Sequence, residues 1–510
     1  MLLVLAGIFA AGGIGSSVVQ ERAQDWRMGP IVYQVFVDRF APPDNVEAKR
    51  AQIRPPRVLM NWSDLPKPGK SLPAMGLWSH ELEFWGGDLK GLISRLGYIE
   101  SLGADVLYLT PIDKALTNHK YDTEDYNEVS PELGTLQDVK DLASTLHRRG
   151  LKLMLDGAFN HMGKTSPIFE TALNQPASSY RSWFYFDPAY RGGYRGWSGV
   201  GNLPALNLEN PAVRDFLWNG QDSVVRRWLR DGIDGWRLDV AFELGPDYLD
   251  ELTRAAHETK PGSDVVGEVS GYPSDWFPAL DGVFDFTMMG VGVKTLTGEI
   301  SGGRAGLILN HIVLDAGIEH LLRSWLLTDN HDTPRLASEI PDPVDRRLVE
   351  AMHFTLPGSP VIYYGTELGM EGAGDPQNRA PMRWDLVNDK NPNLAWIRKM
   401  IAIRKSRPAL RYGDFAALDT DKLLSYVRTT GKVGETTIVV VNPTASEVTE
   451  TFPTRVGRLM SWGQLRDLLS GKSFPSVNGL LTIDAPAKSV MILAPVMEKS
   501  NGYSPYHRIH

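Results

Sequence analysis

Three carboxylates stand at the ends of apolar runs: Asp239 closes "GWRLD", Glu268 lies in "VVGEV" and Asp332 ends "TDNHD". Each run is short and too continuous for a strand with one solvated face, so each acid falls where a buried strand meets solvent. Two carboxyls roughly 5 to 5.5 Å apart are what retaining hydrolysis of a glycosidic bond requires, one a nucleophile and the other an acid. Neighbouring strands lie about 4.8 Å apart, so Asp239 and Glu268 form such a pair if their strands are adjacent. Arg237, two residues before Asp239 and on the same face of the strand, is expected to keep that carboxylate ionised. Glu268, among Val266, Gly267 and Val269, has the apolar company that suits an acid. An arginine and aspartate that merely fill space together are the alternative reading.

"LDGAFNHMG" places Asp156, Asn160 and His161 at the end of another run, and His331 stands beside Asp332. Two histidines on one rim fit hydrogen bonds to sugar hydroxyls. No His-x-x-x-His or Glu-x-x-His spacing points to zinc.

Eight apolar runs, starting near Ile31, Asp105, Leu151, Gly235, Asp264, Gly282, Ser324 and Pro360, alternate with helical patterns such as 136–150, 210–231 and 246–260. That alternation predicts a (β/α)8 barrel over residues 21–406, in which the ends of separate strands converge on one pocket. Two long interruptions, 41–84 after the first strand and 162–206 after the third, would border that pocket, the second as a small inserted domain. From 407 to 497 the pattern changes to alternation and turn residues, which predicts an antiparallel β-sandwich. Residues 498–510 read as a disordered tail.

The chain has 510 residues, of which 42% are hydrophobic and 22% charged, as in an ordinary folded protein. A net charge of −8 leaves no basic face for nucleic acid, which points to neutral substrates. Without cysteine there are no disulfides and no thiolate chemistry. The N-terminal "MLLVLAGIFAAGGIGSSVV" has the pattern of a signal peptide over residues 1–20, so a secreted or periplasmic protein is expected, with a cytoplasmic one as the alternative. No later segment has the length of a membrane span.

"DGAFNH", "GWRLDVAFE", "GEV" and "TDNHD", in that order, resemble the four short conserved regions of the α-amylase family of glycoside hydrolases. The resemblance extends to "YQVFVDRF" (33–40), "WGGDLKGL" (85–92), "NHKYDTEDYNEV" (118–129), "LPALN" (203–207) and "GDPQNRAPMRWD" (374–385), and spans residues 30–495. It implies Asp239 as nucleophile, Glu268 as general acid and base, and Asp332 as the acid that fixes the substrate and stabilises the transition state. Arg237, His161 and His331 would surround the sugar at the cleaved bond, and Tyr121 would stack on its face. Asp375 and Arg379 would grip sugars on the non-reducing side. Several motifs lean towards the neopullulanase, cyclomaltodextrinase and maltogenic amylase branch. Phe242, Ser270 and a first strand near residue 31, where that branch places an N-terminal β-domain, depart from it.

The resemblance implies no cofactor for the chemistry. A calcium site found in many relatives would need other residues where Asn207 and Glu243 stand. A second structural calcium site, in the loop after the first strand, could use Asp44 and Asp88 with Asn45 or Glu47 nearby. The expected substrate is an α-glucan or malto-oligosaccharide cleaved at α-1,4 bonds. A transglycosylase with the same site is the nearest rival, and a non-catalytic binding relative a more distant one.

Overall fold

Strands buried along nearly their whole length have no solvent face to alternate with, and eight of them close here into a parallel barrel. They are β1 (Val32–Val35), β2 (Val106–Leu109), β3 (Lys152–Gly157), β4 (Gly235–Leu238), β5 (Asp264–Gly267), β6 (Gly282–Asp285), β7 (Trp325–Leu327) and β8 (Ser359–Tyr363). Their order round the barrel follows the sequence, and β1 pairs with both β2 and β8. The computed structural model describes residues 16–498, 504–506, 508 and 509. One face of the strands fills the barrel with Val32, Val106, Tyr108, Met154, Val266, Phe284, Trp325 and Val361. The other face packs on the surrounding helices.

Helix α1 (Ser16–Gln24) precedes the barrel, and α2 (Leu136–Arg148) shows how the surrounding helices form. Thr135 caps α2 in a reciprocal box with Asp138, and Val139, Leu142, Ala143 and Leu146 bury one stripe at helical spacing. The helix expected over 210–231 is interrupted. Segments 211–214 and 215–219 end at Gly220, which is extended, and the helix resumes as α3 (Val224–Asp231). "GQDS" carries no apolar residue to hold a core face and contains the poorest helix former after proline. Helix α4 (Pro246–Thr259) follows the expected pattern.

Residues 162–206 build a small aromatic core from Phe169, Phe184, Phe186 and Tyr194. Isolated bridges such as His161 to Ala205 and Gly196 to Pro204 tie this insertion to the barrel and to itself. The loop after β1 holds a short helix and four two-residue strands between 46 and 84.

Past the barrel, antiparallel strands β9 (Asp414–Ala417), β10 (Leu424–Thr429), β11 (Thr437–Asn442), β12 (Val448–Pro453), β13 (Gln464–Asp467), β14 (Ser473–Val477), β15 (Leu480–Ala485) and β16 (Ser489–Pro495) follow. They hydrogen-bond in the order β9-β10-β11-β16-β13-β14-β15-β12. The two layers of the expected sandwich share β14, which pairs with β13 along one half and β15 along the other, so hydrogen bonding runs on from one layer to the next. The sheet folds over a core of its own that includes Val440, Leu465, Phe474 and Ile483. Helix α5 (Gly302–Ala316) packs on β9 and β10, and so joins this domain to the barrel.

At the ends of the chain, residues 1–15 of the expected signal segment lie outside the described residues. The expected boundary at 20 falls inside α1, whose Arg22 pairs with Glu319 of the barrel and Asp414 of β9. Within the expected disordered tail, Tyr506 is 4% exposed and belongs to the core of the C-terminal sheet. Among the described residues no helix is long and apolar enough to cross a membrane.

Candidate active site

Register brings the charged residues together. Across β3 and β4, Arg237 lies opposite Asp156, and across β4 and β5, Leu238 lies opposite Gly267, so the acids that follow emerge side by side. The amide of Asp239 bonds the carbonyl of Gly157, and that of Glu268 the carbonyl of Leu238, at 3.0 and 2.9 Å. Both acids are thereby fixed by the sheet rather than by a free loop.

One fully buried guanidinium organises them. Arg237 Nη1 lies 2.8 Å from Asp239 Oδ1 and 2.9 Å from Asp156 Oδ1. Its Nη2 lies 2.8 Å from Glu268 Oε2, an ion-pair contact off the hydrogen-bonding direction. The expected Arg237–Asp239 pair is present, but it is one part of a cluster of three carboxyls around one cation. Burial pushes Asp239 well above the usual carboxylate range, Asp156, Glu268 and Asp332 push it further, and Arg237 pulls against them without prevailing. The expectation that Arg237 holds Asp239 ionised thus meets an opposing push from burial and from the neighbouring carboxyls. The apolar surroundings expected of Glu268 are corrected, since its carboxylate touches Arg237 and accepts from the amide of Val240 at 3.0 Å.

Val240 reaches that carboxylate through a left-handed backbone, φ 39° and ψ 47°. For a β-branched residue this conformation costs roughly 1 to 3 kcal/mol, a strain that the surrounding structure must hold in place. The turn redirects the chain immediately after Asp239, so the side chain of one acid and the amide partner of the other share a single bend.

Asp156 is the member whose role the sequence left open. It binds Arg237 and accepts from Tyr108 Oη at 2.5 Å and from Tyr121 Oη at 2.9 Å. Tyr121 also meets His331 Nε2 at 2.5 Å, and its ring lies alongside His119 and His331, so a sugar would find only the part of the ring these leave open. Gln34 Nε2 donates to His331 Nδ1 at 2.9 Å, which leaves the imidazole proton on Nε2, towards Tyr121 and Asp332. Burial, with Arg237 and Arg379 nearby, holds His331 well below the ordinary histidine value, hence neutral. His161 donates through Nε2 to the carbonyl of Tyr121 at 3.0 Å. Burial lowers it to about 4, and it too is neutral in the working range.

Asp332, 43% exposed, faces the open side and is held by Arg379 Nη2 at 3.2 Å. Arg379 also binds Asp375 at 3.1 Å and donates to the carbonyl of His331 at 2.8 Å. Burial raises Asp375, but His80 and Arg379 outweigh it and hold it at about 2. Asp239, Glu268, Asp332, Tyr121, His161, Arg237, His331, Asp375 and Arg379 therefore form one connected set. Gln34, Tyr108, His80 and His119 join it without having been singled out. Tyr108 and Gln34 sit on barrel strands two residues from apolar positions of the same face, a period that marks them only once the strands are known.

The calcium residues are not brought together. Asp88 caps the helix Leu89–Ser94 through Gly91 and pairs with the ammonium of Lys49 at 2.8 Å, so a side-chain cation stands where a metal was expected. Asp44 is exposed, Asn45 caps a short helix and Glu47 faces Arg50. At the other calcium position, the one found in many relatives, Glu243 accepts from Asn160 Nδ2 and Trp197 Nε1, both at 3.0 Å. Among the described residues no group of three or more metal-ligating side chains gathers.

Residues 34–264 and 308–392 match "Alpha amylase, catalytic domain", and residues 415–492 match "Maltogenic Amylase, C-terminal domain". The cyclomaltodextrinase of Geobacillus thermopakistaniensis (strain MAS1) is 32% identical, over 93% of this chain and 78% of its own length. Neopullulanase 2 of Thermoactinomyces vulgaris is also 32% identical, over 83% and 71%. The solved structure of cyclic alpha-maltosyl-(1→6)-maltose hydrolase from Arthrobacter globiformis, in complex with that sugar, superposes with a TM-score of 0.77 at 29% identity, covering 92% of this chain and 99% of its own. The catalytic-domain match takes in Arg237, Asp239 and Asp332, and the chain belongs to the α-amylase family of glycoside hydrolases.

Proposed function

We propose that this enzyme is a retaining α-glucan hydrolase that cleaves α-1,4-glucosidic bonds of malto-oligosaccharides, cyclodextrins, pullulan or starch. The observation that carries the reading is the single guanidinium of Arg237 touching both Asp239 and Glu268, which keeps the two carboxyls of a displacement within one short span. Glu268 gives its proton to the glycosidic oxygen as an Asp239 oxygen attacks C1, the C1–O bond breaks, and a glycosyl ester forms. Glu268, now a base, takes a proton from water, whose oxygen attacks C1 and releases Asp239. Asp332, anchored by Arg379 and exposed to the open side, would hold sugar hydroxyls, and Asp375 with Arg379 would bind the next unit. The relatives named for a cyclomaltodextrin, for pullulan and for a cyclic maltosyl-maltose support that substrate class.

The test is a product profile of the purified protein on maltotriose, β-cyclodextrin, pullulan and soluble starch, followed by proton NMR. Retention gives the α-anomer first, and β-anomer first overturns it. Longer products in place of glucose and maltose would assign transfer rather than hydrolysis. We further propose export, on the apolar N-terminal residues, which N-terminal sequencing of protein recovered outside the cytoplasm checks.

A further inference from the structure

Beside the active site, the loop after β1 and the insertion after β3 enclose a pocket of about 580 Å³, within the range of ordinary ligand sites. Trp78 and Tyr190 line it and are 51% and 40% exposed, large apolar rings open to solvent side by side with the pocket. Lys164, Arg191 and Arg195 also line it, and none has a carboxylate partner among the described residues. Glycine keeps the wall thin: a Cβ at Gly196 would stand 2.2 Å from the carbonyl of Val200, and Gly76 has φ 76° where the two loops touch.

Two lines of contact run from this pocket to the site. On one wall Trp78 stacks on His80, ring centroids 6.3 Å apart, and His80 Nε2 lies 3.9 Å from Asp375. On the other, Gly196 precedes Trp197, whose ring lies 5.6 Å from that of His161. We infer that the pocket is an accessory α-glucan site, taking glucosyl units beyond those at Asp375 and Arg379, an inference that rests on the α-glucan reading above. The flat C–H faces of glucose suit the exposed indole and phenol rings, and ammonium and guanidinium groups that no carboxylate neutralises can donate to hydroxyls. Continuity with the site favours the substrate polymer over an unrelated ligand.

The test compares maltoheptaose with maltotriose, binding them to Asp239→Asn with and without Trp78→Ala and Tyr190→Ala, and turning them over with Asp239 intact. The double substitution is expected to weaken maltoheptaose binding about tenfold, as loss of aromatic anchors does, and to raise KM for maltoheptaose alike with kcat unchanged. Maltotriose should change by less than about twofold, within the range of surface substitutions. Equal effects on both sugars, or none on either, overturn the inference, as does maltoheptaose binding that falls steeply with added salt, since neutral hydroxyls are not screened. If the intact enzyme cleaves neither sugar while Asp239→Asn still binds maltoheptaose through Trp78 and Tyr190, the hydrolase reading falls and the pocket stands. If neither sugar binds, both fall.

Discussion

Two buried arginine sites in this enzyme face opposite kinds of partner. At the barrel mouth Arg237 meets Asp156, Asp239 and Glu268, so negative charge exceeds positive around a fully buried guanidinium. At the joint with the C-terminal sheet, Arg404 donates to the carbonyls of Gly29, Phe354 and Gly358, and Arg428 to those of Thr355, Gly413 and Asp414. Burial lowers both to about 9, reinforced at Arg404 by repulsion from Arg428 and opposed at Arg428 by Tyr426 and Asp414. Carbonyls satisfy donors without opposing the charge, which makes a fixed joint between segments far apart in sequence. Carboxyls in excess of cations share their charge, which makes a site able to hold and pass a proton.

The sharpest way to break this contrast is Asp239→Asn, which should lower kcat about 10⁴-fold or more on maltotriose, as removal of a nucleophile does. A carboxyl whose folded value is raised supports the fold fully below its ordinary value near 3.8 and loses that support as pH rises through the folded value. Asparagine never ionises, so at pH 7 the variant should be more stable by about 1 kcal/mol, visible as a higher Tm. Equal or lower stability would mean that Arg237 does prevail over burial.

Glu268→Gln should lower kcat about 10²- to 10⁴-fold on maltotriose, and much less on an aryl maltoside whose phenol leaves without a proton. Arg404→Met leaves three carbonyls without a donor, with an expected loss of about 3 kcal/mol in denaturant unfolding and unchanged kcat per folded molecule. A loss of kcat without a loss of stability would erase the distinction between the two sites. Arg237→Lys sharpens it instead. One ammonium cannot span both acids, so Asp239 rises further and the acid limb of kcat/KM should move to higher pH, with kcat down about 100-fold.

Arg379 stands between the extremes, with two half-exposed carboxylates and one carbonyl. Asp375→Asn is the mildest change, raising KM about tenfold with kcat nearly constant. Asp375, held at about 2, contributes above its ordinary value near 3.8 and fails only as pH falls towards 2, so KM of the unaltered enzyme should stay flat down to about pH 4.

The barrel was legible because strands buried on both faces write continuous apolar runs, and because carboxylates at strand ends have no packing role there. Asp239, Glu268 and Asp332 could be named on that ground. What Arg237 does could not, because spacing shows Asp239 beside it and says nothing of Asp156 and Glu268 from flanking strands. Lys49 defeated the calcium reading in the same way: it pairs with Asp88 at a sequence separation of 39, which no local periodicity links. The break at Gly220 and the burial of Tyr506 were local decisions overruled or settled by packing.

The left-handed turn at Val240 has a consequence for when energy is committed. Its strain is met once, as the chain folds and the sheet locks Asp239 and the Val240 amide in place. Each catalytic cycle then starts from aligned groups, with no reorganisation left to pay for, like a tool sharpened before use rather than during it.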